Sequence, residues 1–406
     1  MAGTIGTLDE VRWAGKTVIL RLDLNSPIDP FSNQILDDKR FREHIPTIER
    51  LRDAKLVIVT HQSRPGKKDF TTLAAHAERL SRLLRRPVRY LDDIIGVRAK
   101  EAAKSLSGGD ILMLENVRFS AEENLKMKPG EAAKTLLVRG LASMGDLFVN
   151  DAFGTAHRSQ PTMVGLPLAM RSVAGLLMER EVAMLSRALA GTQRPVTAVL
   201  GGTKVDDSVA VMAHMLDHGI ADSAIVTGVV ANVFLIALGY DIGEPSTELI
   251  RKLGYLKEIE LARELLERHR KRIVVPSWVA VRKDGERVEF PVDAIPKDTP
   301  VLDLGMDSIE VMAEQIRSSG TVIFNGPAGV FEEDAFALGT VELLNAAAKV
   351  PFSVVGGGHT GAMVEKLGLE GKITHVSTGG GACIEFLTGK KLPAVEALEL
   401  SKKKFG

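Results

Sequence analysis

Short, unbroken runs of Val, Ile, Leu and Phe recur along the chain at 17–24, 55–60, 110–114 and 146–150. They return at 195–200, 223–227, 321–324, 352–355 and 373–377. The stretches between them carry helical periodicity. A strand that is apolar on both sides must be covered on both faces, and helices interleaved with such strands supply the crossovers that parallel pairing needs. The pattern predicts an α/β fold with parallel sheets covered by helices. Residues 174–189 (AGLLMEREVAMLSRAL) read as one helix, with Leu176, Leu177, Val182, Leu185 and Leu189 on its apolar face. The segment GTQRP at 191–195 then breaks the chain before the next strand.

The expectation is therefore two Rossmann-like domains, at 1–173 and 190–389, joined by a hinge helix at 174–189. One long continuous sheet is the alternative. Residues 282–300 predict a β-hairpin turn followed by a loop within the second domain.

Charge and composition exclude several classes. Lys+Arg and Asp+Glu both number 52, which argues against a nucleic-acid or membrane-surface protein that relies on a global field. The single cysteine, Cys383, excludes an internal disulfide framework and fits a reducing, cytoplasmic setting. The opening MAGTIGTLDEVRWAGKTV lacks the basic-then-apolar pattern of a signal peptide. No apolar run approaches the roughly 20 residues of a membrane span.

In open α/β sheets, ligands bind beyond the carboxyl ends of the strands, and the two halves differ there. In the first half the strand ends deliver cations. RLDLN places Arg21, Asp23 and Asn25 on one side by alternation, HQSRP brings His61 and Arg64, NVRF brings Arg118, and AHR brings His157 and Arg158. Arg40 opens a helical pattern. Arginine suits planar, bidentate recognition of carboxylate or phosphate, so this half predicts a basic pocket for a small polyanion. In the second half the strand ends are glycine-rich: LGGTK, TGVVAN, NGPAG, GGGHTG and TGGGA. Glycine lets main chain approach a ligand closely, and a following helix N-terminus offers N–H groups to phosphate. Lys204 is placed to reach a phosphate as a point charge.

There is no G-x-x-x-x-G-K-[ST] signature. GGGHTG matches the dinucleotide fingerprint, but the next strand ends in Ser377 and Thr378 where an acidic ribose ligand is needed, which disfavours a dehydrogenase. A basic pocket in one half and a glycine-lined nucleotide pocket in the other imply phosphoryl transfer across a closing cleft.

The segments RLDLNSP, DDKRFREHIPTI, HQSRPG, LENVRF, DAFGTAHR, GGTKVDD, NGPAGVFE, GGGHTG and VSTGGGACIEFL together resemble the phosphoglycerate kinase family, in the manner of its archaeal branch, over essentially the whole chain. The resemblance implies reversible transfer between ATP and the 1-carboxylate of 3-phosphoglycerate, giving ADP and 1,3-bisphosphoglycerate, with Mg²⁺ carried by the nucleotide. A non-catalytic relative that binds nucleotide and phosphoanion is the alternative. By motif, Asp23, Leu24 and Asn25, with His61, Gln62, Ser63, Arg64, Arg118 and Arg158, would bind the phosphoglycerate. Arg40 and Lys204 would be catalytic. Glu332 would take the ribose, and Gly357, Gly358, His359 and Thr360 would take the nucleotide. The backbone at Gly358, Gly380 and Gly381 would lie near the transferred group. The C-terminal segment 390–406 would pack back on the first domain, with its last few residues loose.

Two departures from the commoner pattern matter most: His359 stands where many members have a metal-associated Asp, and Ser208 where many have Lys. Ser63 replaces a common Gly. Oxygen-loving Mg²⁺ makes His359 a poor direct substitute, so the metal ligands stay open, with Asp206 or Asp207 as outer-shell candidates. Either a monomer or a homodimer fits the sequence. A carboxylate acceptor is already ionised at neutral pH, so no histidine need act as a base.

Overall fold

The computed structural model describes residues 4–406 and divides into two compact units. One runs through Ala183 and takes in Lys391–Gly406; the other is Met184–Lys390. The division falls inside the helix Leu176–Ala190.

The first unit holds a six-stranded sheet of β1 (Thr17–Arg21), β2 (Lys55–Val59), β3 (Arg89–Tyr90), β4 (Ile111–Met113), β5 (Leu147–Asn150) and β6 (Ser172–Ala174). Its order is β3-β4-β2-β1-β5-β6 and all pairs are parallel. Side chains alternate between two cores. Val18 and Leu20 join Leu56, Ile58 and Val149 on one face, while Ile19 joins Val57, Leu112 and Phe148 on the other. This two-sided burial is why the strands appear as unbroken apolar runs, each such side chain stabilising by about 1.5–3 kcal/mol. The helix Lys39–Arg50 turns Phe41, His44, Thr47 and Ile48 inward at the i, i+3, i+6, i+7 spacing of one helical face.

The second unit contains β7 (Val196–Leu200), β8 (Ser223–Val226), β9 (Ile273–Val274), β10 (Trp278–Lys283), β11 (Glu286–Pro291), β12 (Val301–Leu304), β13 (Thr321–Asn325), β14 (Phe352–Gly356) and β15 (His375–Val376). Its parallel sheet runs β15-β14-β13-β7-β8-β9, and the first three and last three of these strands in chain order wind outward in opposite directions, as in a doubly wound nucleotide fold. β11-β10-β12 form a separate antiparallel sheet, so the expected hairpin is larger than a turn plus loop.

Two further boundaries differ from expectation. The helix expected from residue 174 starts at Leu176, because Ala174 pairs with Asn150 as the end of β6. The C-terminal residues are not loose: the helix Pro393–Phe405 buries Ala394, Val395, Ala397 and Leu398 against β6 and the short helices Pro161–Val164 and Leu166–Ala169. Lys402 reaches Glu10 at 3.0 Å and Lys404 reaches the Leu168 carbonyl at 2.8 Å.

Candidate active site

In the first unit the strand order reverses between β1 and β5, where sheets of this kind open a crevice. Arg21, the last residue of β1, is fully buried. Its Nε donates to Thr162 Oγ1 at 3.1 Å, and Thr162 donates its hydroxyl to Glu123 Oε1 at 2.5 Å and its N–H to Oε2 at 2.9 Å. Nη2 of Arg21 lies 3.2 Å from His61 Nδ1. A guanidinium only donates, so Nδ1 accepts and the ring proton sits on Nε2. Burial, then the charges of Arg21, Arg118 and Arg158, hold His61 well below the ordinary histidine range, which keeps the ring neutral. Its buried Nε2 has no hydrogen-bond partner in the protein, which leaves one donor open.

Around it the charge is unbalanced. Buried Asp23 accepts from Arg40 Nη1 and from the Asn25 N–H at 3.3 Å. Arg118 donates to the Ser63 carbonyl and to Gln160 Oε1 at 3.3 Å, while its buried Nε is unpartnered. Burial, with Arg158 and Arg21 nearby, pulls Arg118 down to about 10. Arg158 is lowered by burial and by Arg40 and Arg64, and Arg64 stands exposed. The acids felt by these arginines are Asp23 and Glu123, and burial pushes Glu123 up, toward its neutral form. Arginines held together in a part-buried pocket repel, and a small polyanion would relieve that repulsion while filling the unpartnered donors.

Three neighbours differ in what they present. The Leu24 side chain belongs to the core and its N–H donates to Thr60 Oγ1 at 3.1 Å. Buried Gln62 exchanges hydrogen bonds with the Ser26 backbone at 3.1 and 3.0 Å. Ser63, at φ +55°, donates its N–H to Asn25 Oδ1 at 2.7 Å and its hydroxyl to Asp69 at 2.6 Å. These groups lock the β1 and β2 loops to each other. Glu123, Thr162 and His44 escaped the sequence reading, because nothing in their local pattern marks them.

In the second unit the reversal lies between β7 and β13. There the loops are laced by Gly201 N–H to Asn325 O (2.9 Å), Gly202 N–H to Pro327 O (2.8 Å) and Gly228 N–H to Ala328 O (3.0 Å). A cavity of about 520 Å³ opens beside them. Lys204, Glu332, Gly357, Gly358, His359, Thr360 and Gly380 line it together, whereas Gly381 starts the helix Gly381–Leu387 outside that lining. Gly357, at φ +88°, precedes the helix Gly358–Lys366, whose first N–H groups have no side-chain cap. Thr360 Oγ1 accepts the Gly326 N–H at 3.1 Å. His359 is exposed, with its ring 5.5 Å from that of Phe331.

Ser208 is fully buried and its hydroxyl unpartnered, so this position faces the unit's interior. Burial, then Asp206, raises Asp207. Among the described residues, no group of three or more His, Cys, Asp or Glu is arranged to hold a metal ion. Asn325, at the end of β13, also lines the cavity, with a buried Oδ1 that has no partner. A polar residue closing an apolar strand was the signal that would have found it.

The model of the phosphoglycerate kinase family matches residues 8–390. Phosphoglycerate kinase of Methanocorpusculum labreanum is 62% identical over 99% of each chain, and that of Methanothermobacter thermautotrophicus 50% identical over 98% of this chain and 97% of its own. Among solved structures, phosphoglycerate kinase from Pyrococcus horikoshii OT3 superposes with a TM-score of 0.92 at 42% identity, covering 99% of this chain and all of its own. The enzyme from Coxiella burnetii gives 0.79 at 33%, covering 97% and 98%. With two doubly wound units, one cationic and one glycine-lined, and matches of this extent, the chain belongs to the phosphoglycerate kinase family.

Proposed function

We propose that the two half-sites divide one reaction: the cationic pocket of the first unit holds 3-phosphoglycerate, and the glycine-lined cavity of the second holds MgATP. The observation that carries this reading is the surplus of arginine, together with the unpartnered His61 Nε2, at the crevice between β1 and β5. His61, Arg64, Arg118 and Arg158 take the 3-phosphate, and Asp23 and Asn25 the glycerate. The acceptor is a carboxylic acid that titrates at about pH 4, so at neutral pH it is already ionised and attacks the γ-phosphorus without a base. His61, neutral and held by Arg21, serves as a donor only.

Charge spreading over the transferring group is met by Arg40 from one side and Lys204 from the other, with main-chain N–H groups at Gly358, Gly380 and Gly381. Glu332 takes the ribose, and Thr360 and His359 lie along the phosphates. ATP would carry Mg²⁺, which would neutralise phosphate charge, and Asp206 or Asp207, beside Lys204 in sequence, would stand near it. Because each substrate has its own unit, catalysis includes a closing motion with the Leu176–Ala190 helix as hinge, in a cytoplasmic enzyme that draws on ATP.

The test mixes the protein with MgATP and 3-phosphoglycerate, couples the product to glyceraldehyde-phosphate dehydrogenase and follows NADH, omitting each substrate in turn. Oxidation that requires both substrates is the expected result. Calorimetric binding of both without turnover would instead favour a non-catalytic relative.

A further inference from the structure

Behind Asp23 lies a buried chain of polar groups that the reaction as described does not use. The Asp23 N–H points at Nε2 of His44 at 3.1 Å, and Nδ1 of the same ring lies 2.8 Å from Asp151 Oδ2. The other oxygen of Asp151 accepts the N–H groups of Leu177, at 2.9 Å, and Met178, at 3.4 Å, in the first turn of the helix Leu176–Ala190. His44 is 2% exposed, Asp151 0% and Asp23 3%.

A backbone amide only donates, so Nε2 is the acceptor and the ring proton sits on Nδ1, where Asp151 takes it. Every member of the chain is then oriented by the next. The helix end fixes the Asp151 carboxylate, Asp151 fixes the imidazole plane, and the imidazole fixes the main chain of the residue that accepts from Arg40. Arg40 and His44 stand one turn apart on the helix Lys39–Arg50, so the same rigid element carries the catalytic arginine and the ring that places its partner.

Resting on the acceptor site proposed above, we infer that His44 is a positioning residue for phosphoryl transfer. It sets the β1 loop so that Asp23 and Arg40 meet the acceptor in the reactive arrangement. A misplacement of about an ångström in such an arrangement costs rate as well as binding.

Two near-isosteric variants cut the chain at different links. His44→Gln puts an amide oxygen where Nε2 stands and keeps the Asp23 bond while losing Asp151. His44→Asn puts an amide nitrogen where Nδ1 stands and keeps Asp151 while losing Asp23. The wild type, both variants and Thr47→Val are assayed with 3-phosphoglycerate and MgATP, and their unfolding is followed in urea. Thr47 accepts the Leu176 N–H at 3.0 Å and so ties down the same helix end without touching Asp23.

The expected result is about a 10-fold or larger rise in KM for 3-phosphoglycerate with a fall in kcat for His44→Asn. His44→Gln stays within about 3-fold of wild type, and KM for MgATP is unchanged in both. Thr47→Val loses stability with its KM unmoved. Equal acceptor KM values in His44→Asn and His44→Gln, in soluble variants that still unfold cooperatively, would overturn the inference and leave His44 a purely structural histidine. Absence of turnover in the wild type would instead defeat the acceptor-site reading itself.

Discussion

Arg40 Nη1 donates to the Asp23 carboxylate, and the pair is lopsided in exposure: the Arg40 side chain is 40% accessible and that of Asp23 4%. The buried acid therefore aims an arginine that remains open to a ligand. If this guanidinium meets the transferring phosphoryl group, Arg40→Lys keeps the charge but loses the planar fork. Its kcat is expected to fall about 100-fold, and that of Arg40→Ala about 1000-fold or more. Steady-state kinetics in both reaction directions check this, and near-normal turnover in the alanine variant would remove Arg40 from the chemistry.

Gly154 leaves room for that pair. A Cβ there would run into Asp23 Oδ2 and stand 3.2 Å from Arg40 Nη1. Gly154→Ala is expected to raise KM for 3-phosphoglycerate about 10-fold and to leave KM for MgATP alone. Separate titrations of the two substrates distinguish this from a general loss of fold.

Gly326 makes the corresponding approach in the second unit. It holds φ +89°, and an added Cβ would meet Gly201 main chain and lie 2.9 Å from Gly202 N. Gly326→Ala should cost about 1–3 kcal/mol in chemical denaturation and weaken nucleotide binding, measured by calorimetry with MgADP.

Acid sensitivity follows from buried histidines. Burial pulls His76 down to about 4, its ring lying 5.8 Å from that of Phe41, and His61 is lowered as well. An unfolded histidine titrates near 6.5, so between about pH 6.5 and 4 the unfolded chain binds protons that the native one refuses. Stability is thus flat in this contribution above about 6.5 and falls as pH drops through the window, with His76 alone accounting for about 3 kcal/mol by pH 4. His76→Gln should flatten the curve of denaturation midpoint against pH below about 6.5; a parallel curve would contradict the assignment.

The long central strands were legible because burial on both faces leaves no polar residue to break the pattern, as in β1 and β13. β3 and β9, two residues each, are too short to show any period, and they exist because neighbouring strands present free edges, whereas β15 lies inside the run at 373–377. The arginines of the site were visible as charges just beyond apolar runs. What adjacency along the chain did not convey is direction. Gln62 and Ser63 follow His61, yet both are turned into loop-to-loop bonds, and Leu24 is carried into the core. The His44–Asp151 chain joins residues 107 apart, a relation that only the folded backbone creates.

The helix Pro393–Phe405 completes the first unit although it follows the whole of the second unit along the chain. During synthesis the first unit must wait for the whole of Met184–Lys390 to be translated before this helix exists. Until then, the surface of β6 and the short helices at 161–169 that Val395 and Leu398 will cover stays bare. The second unit has no such delay. Completion on the ribosome is therefore out of step with order in the sequence, and the first unit is the one whose newborn form is exposed to aggregation and to chaperone capture.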